Sequence, residues 1–84
     1  MTENIRRCRS SELIITNETL DEAYVQSLVI KLRQGTIRDH FMGAVLVNEG
    51  SDGKLRVNDG NHFVRACQIT QIEWVLAQIY VLSE

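Results

Sequence analysis

The chain has no proline, only two cysteines, and no run approaching the roughly 18 to 20 apolar residues that cross a bilayer. Without proline, no turn is fixed by a locked φ angle. Cys8 and Cys67 lie far apart without paired spacing, which excludes a zinc motif or a disulfide framework. Both are expected as buried free thiols that behave as small hydrophobes. The lack of a long apolar run, and of a signal peptide's apolar stretch, sets the expected location as cytoplasmic with no membrane contact. An excess of positive charge is also missing: the formal net charge is −2 and the pI near 5.6, which argues against a nucleic-acid binder driven by a global positive field. There are no repeats, linkers or low-complexity segments, and 84 residues leave room for one domain.

What is present reads as alternating short elements. Residues 1–10 read as a flexible basic arm carrying Arg6, Arg7 and Arg9, and residues 11–84 as the single domain. Ser11 to Ile15 gives a short apolar strand. Thr19 with Glu22 forms a capping box, Leu20, Tyr24, Leu28 and Leu32 recur at helical spacing, and Gly35 supplies the stop. Phe41 to Asn48 contains the β-branched run of a buried strand, and Glu49 to Gly53 is a turn. Lys54 to Asn58 returns antiparallel, a second helix runs from Asn61 to about Gln71, and Val75 to Leu82 closes the chain as a strand. This order predicts an α+β fold, a small mixed β-sheet with two helices on one face.

The junction Asn58-Asp59-Gly60-Asn61-His62 carries the functional expectation. A strand that breaks through glycine into a helix leaves backbone N–H groups unpaired at the positive end of the helix dipole, where phosphate or carboxylate binds. Here the element order and the Gly60-Asn61-His62-Phe63 turn resemble the ParB N-terminal and sulfiredoxin superfamily. The resemblance covers most of the chain and implies a pocket that holds nucleotide phosphates at Gly60, Asn61 and His62, with CTP or ATP and magnesium as the cofactors. In ParB partition proteins the turn reads Gly-Glu-Arg-Arg and takes part in CTP binding. In sulfiredoxins it reads Gly-Cys-His-Arg and holds ATP beside a catalytic cysteine. Asn61 replaces that cysteine, so no sulfiredoxin activity is expected, and Cys67 lies too far into the helix to stand in. Phe63 replaces the final arginine and removes a five-donor phosphate ligand, for which Arg65, Lys31 or Arg33 are the candidates to compensate.

His62 and Asp59 are the candidate catalytic residues, His62 as acid, base or phosphate donor and Asp59 as a ligand for a divalent ion on the phosphate. As ordinary structure, Asp59 is a turn residue and Asn61 a helix cap. Asp39 and His40, with Asp59 and His62, lack metal-site spacing, and no dedicated metal site is expected. Arg6, Arg7, Arg9, Lys31, Arg33 and Arg38 are candidate phosphate or nucleic-acid contacts, set against an ordinary solvated surface. Three functions follow: a stand-alone ParB-like domain binding a nucleotide or nucleic acid, a metal-dependent nuclease or nucleotide hydrolase, and a protein-interaction module with a decayed pocket that pairs with a partner or with itself. The resemblance further implies that a chain without the helix-turn-helix and dimerisation domains of a partition ParB is an accessory protein of the mobile-element kind.

Overall fold

The computed structural model describes residues 4–36 and 45–81. In chain order its strands are β1 (Asn4–Arg9), β2 (Leu13–Ile14), β3 (Val45–Glu49), β4 (Leu55–Asp59) and β5 (Trp74–Val81), and its helices are α1 (Glu22–Gln34) and α2 (Asn61–Thr70). A single 3-10 turn, Ser10–Glu12, joins β1 to β2. The strands form one five-stranded mixed sheet in the order β1-β5-β3-β4-β2. β5 lies parallel to β3 and antiparallel to β1, and β4 lies antiparallel to β3 and parallel to β2. The expected α+β class, mixed sheet and β3–β4 hairpin are all present.

Local chemistry sets the element ends. α1 stops at Gly35, whose φ of 73° is the left-handed conformation that closes a helix, with Thr36 N–H donating to Lys31 O at 3.0 Å. α2 ends in the same way at Gln71, a non-glycine residue at φ 61°. Between β3 and β4, Gly53 N–H donates to Gly50 O at 2.9 Å, and the Asp52 carboxylate takes Lys54 N–H at 3.0 Å and the Arg56 guanidinium at 3.0 Å.

The core forms where period-two strands meet period-3.6 helices. Val25, Leu28 and Val29 of α1 and Phe63, Val64, Ala66 and Cys67 of α2 are buried with Val45, Val47, Val57, Val75, Ala77 and Ile79 of the sheet. Gln68 ties α2 to the β1–β2 connection through its Nε2, which donates to Ser10 O at 2.9 Å and Leu13 O at 3.1 Å. No helix among the described residues is long and apolar enough to cross a membrane.

Three expectations are corrected. The supposed arm is β1 over Asn4–Arg9, paired along β5 from Asn4↔Ile79 to Arg9↔Trp74, with Cys8 buried and the Arg7 and Arg9 guanidiniums over the Trp74 ring. The strand expected over Ser11 to Ile15 shrinks to Leu13–Ile14, because the 3-10 turn occupies Ser10–Glu12. Thr19 does not cap α1. Asp21 does, its carboxylate accepting Tyr24 N–H at 3.2 Å, while Thr19 N–H donates to Asn17 Oδ1 within the preceding loop. The first part of the strand expected from Phe41, together with Arg38, Asp39 and His40, lies outside the described residues.

Candidate functional site

β4 delivers the chain to Asp59, Gly60 turns it, and α2 starts at Asn61. Gly60 adopts φ 107°, ψ 20°, a region that L side chains rarely enter. A Cβ there would also lie 2.8 Å from Val45 Cγ1. The space beside the Gly60 Cα is therefore filled by Val45 of β3 rather than left for a ligand, and packing requires the glycine as well as backbone conformation. Next to it the β3–β4 register shifts between Leu46 and Val47.

Three amides of this turn lie ahead of the first intrahelical bond. The first intrahelical bond of α2 runs from Val64 N–H to Gly60 O at 2.9 Å, and no side chain caps the helix. The N–H groups of Asn61, His62 and Phe63 therefore have no acceptor among the described residues, and they sit where the helix dipole is positive. Asn61 was expected as the cap. Instead its Oδ1 accepts the backbone N–H of Thr16 at 2.9 Å, while the Thr16 hydroxyl donates to Val57 O at 2.6 Å. Gly60 is the N-cap and Asn61 the first residue of the helix, and the Asn61 side chain ties it to the β2–α1 loop.

His62 makes the second link to the same loop. Its Nε2 accepts the Asp21 N–H at 3.1 Å, and its ring meets Tyr24 edge-on with centroids 5.2 Å apart. The start of α2 is thus joined to the start of α1 through the imidazole. Asp59 is exposed at the end of β4 and makes no hydrogen bond or ion pair among the described residues. Arg65 stands one helical turn after Asn61, on the same face, exposed and likewise without a partner.

The remaining candidates are dispersed. Lys31 and Arg33 lie in the last turn of α1, whereas His62 touches its N-cap, so Lys31 sits about 15 Å along the axis from that contact. They are not brought to the turn. Arg6, Arg7 and Arg9 lie on the edge strand β1, where Arg6 pairs with Glu49 at 3.5 Å and Arg9 pairs with Glu73. Phe63 is 1 % exposed and fills the core, so the arginine of the related turns has no counterpart at the surface here. Cys67 is buried on α2, as expected. Among the described residues no three His, Cys, Asp or Glu side chains gather as a metal site. Sequence reasoning missed Thr16, Asp21 and Tyr24. Their signal was faint, since each is an ordinary loop or helix-start residue far from Gly60 in the chain.

No protein-family model matches this sequence, and no curated protein sequence matches it. Solved structures do. A C-terminally truncated chromosome-partitioning protein ParB from Caulobacter crescentus, complexed with CTP-γ-S, is similar with a TM-score of 0.73 at 18% identity, covering 96% of this chain and 46% of that one. Protein Atu1540 from Agrobacterium tumefaciens gives a TM-score of 0.78 at 22% identity over 99% of this chain and 44% of its own. Sulfiredoxin from Arabidopsis thaliana gives 0.69 at 18% identity, over 94% and 86%. The chain therefore spans less than half the length of the first two.

Proposed function

From the fold that this chain shares with ParB and sulfiredoxin, we propose that the protein binds the phosphates of a nucleotide at the start of α2, with CTP or ATP and magnesium as the ligands to test. One observation carries this reading: the uncapped first turn of α2, where the Asn61, His62 and Phe63 amides have no acceptor among the described residues, stands at the strand-to-helix turn of a fold seen elsewhere with CTP-γ-S bound. Gly60 sets the turn, the three amides supply donors, and Arg65 is the nearest cation by helical spacing. With Phe63 in place of a surface arginine, the affinity should be modest. Asp59, exposed and without a partner among the described residues, would meet a magnesium ion carried by the phosphates, since hard cations take carboxylate, water and phosphate oxygens together.

The test is thermal unfolding with CTP, ATP, GTP and a short single-stranded oligonucleotide, each with and without magnesium, on the native chain and on Asn61→Asp. The substituted residue keeps an oxygen for Thr16 N–H and puts a negative charge where the phosphate would sit. A ligand at ten times its Kd adds about 1.4 kcal/mol, roughly 6–11 °C for a domain of this size. That rise should be absent in a variant whose ligand-free stability is unchanged or higher, because an acid suits a helix N-terminus. No rise with any nucleotide at millimolar concentration would remove the proposal.

A second reading draws on a different observation. Both polar side chains of the turn are already engaged, Asn61 with Thr16 and His62 with Asp21. In this reading the turn is a clasp between β4, α2 and the β2–α1 loop, and the protein acts by binding another protein. Nucleotide-independent stability with a measurable protein contact would favour it.

A further inference from the structure

A cleft of about 420 Å³ is lined by Arg6 to Arg9 of β1 together with Glu12, Glu49, Leu55 and Trp74. Trp74, Glu49 and Leu55 belong to β5, β3 and β4, so the cleft reaches inward across the sheet from β1 and leaves the strand's outer edge clear. That edge is free: β1 is terminal in the sheet and pairs only with β5 among the described residues, leaving its outward N–H and C=O groups without a ladder. No proline or bulge interrupts it. Ile5, Arg7 and Arg9 share one face, and Ile5 is 52 % exposed. Arg9 has Glu73 and Trp74 as partners, whereas Arg7 rests on Trp74, 5.2 Å from its centroid, with no carboxylate among the described residues.

From this we propose that the β1 edge binds an extended acidic segment of another protein by strand addition. The added strand supplies carboxylates opposite Arg7 and Arg9 and an apolar side chain opposite Ile5. Main-chain hydrogen bonds provide the ladder, and alternate side chains provide the choice of partner. A second copy of β1 is disfavoured, because its arginines would face these across the new pair. A nucleic-acid backbone is disfavoured because Arg6 and Arg9 already pair with Glu49 and Glu73. The inference gives the protein-interaction reading a surface and a partner chemistry, and it stands whether or not the α2 turn takes nucleotide.

The probe is a capped heptapeptide, Thr-Glu-Thr-Glu-Thr-Val-Thr, which in antiparallel register places Glu, Glu and Val opposite Arg9, Arg7 and Ile5. It is titrated into the full chain while amide exchange is followed over residues 4–9. Its controls are the same peptide with Lys for Glu, an N-methylated version that cannot form the ladder, and a ten-nucleotide single strand. The acidic peptide should slow exchange at alternate amides of β1, and the lysine peptide and the Arg7→Glu variant should each weaken binding about fivefold. Arg7→Ala, which reverses no charge, should give a smaller loss and serves if Arg7→Glu does not fold. Equal binding by the lysine or N-methylated peptide would overturn the proposal. So would protection by the oligonucleotide and not the peptide, or no protection at millimolar peptide. Amides of α2 report separately on the nucleotide site.

Discussion

At the scale of single residues, Gly60 joins two demands that the sequence shows only as one glycine. Its φ of 107° excludes ordinary side chains, and Val45 Cγ1 stands 2.8 Å from the position of a Cβ. Gly60→Ala should therefore cost about 2–4 kcal/mol, backbone strain and overpacking together, measured by urea unfolding. Val45→Ala in the same chain should recover about 1 kcal/mol of that loss in a double-mutant cycle. Strict additivity would show that the steric contact is unimportant. His62 works differently, through its Nε2 acceptor for Asp21 N–H and its edge contact with Tyr24. His62→Ala should cost about 1–2 kcal/mol and speed amide exchange at Asp21, the signature of a released helix start. The partners of Asn61 and His62 lie 45 and 41 residues away in the chain. Local pattern carries no trace of such pairings, so the turn was legible from its glycine and polar residues while the direction of its side chains was not.

Among the elements, the hairpin offers a pH-dependent test. The Asp52 carboxyl is held down to about 2, first by the hydrogen bond from Arg56 and then by the Lys54 N–H. A carboxyl depressed in the folded state contributes its stabilisation fully above its unfolded value near 3.8, and that contribution is lost as pH falls through about 2. Arg56→Gln should move the Asp52 midpoint upward toward 3.8, read by carboxyl-carbon NMR. An unmoved midpoint would refute the pairing. The pair is solvent-exposed, so global stability should change little. α1, α2, the hairpin and β5 were legible because their apolar spacing repeats locally and glycines mark the ends of α1 and the hairpin. β1 was not. Asn4–Arg9 holds only Ile5 and Cys8 as apolar residues among three arginines, and its extended form depends on pairing with β5 and stacking on Trp74. The start of α1 was misplaced by a competing polar residue: Thr19 and Asp21 are both good caps, and only the loop held by Asn17 decides between them.

At the scale of the molecule, the five-stranded sheet, the two helices and the core formed by the described residues support the resemblance read from the Gly60 turn, and the solved structures share that fold at 18–22% identity. A shared fold does not carry a shared ligand. What separates nucleotide binding from a purely architectural turn is whether three amides with no acceptor among the described residues meet a phosphate. The most direct measurement is an amide NMR titration of the chain with CTP and magnesium, with ATP in parallel. The account predicts saturable shifts centred on the amides of Asn61, His62 and Phe63, lost in Asn61→Asp. Shifts centred elsewhere, or none at millimolar nucleotide, would contradict it.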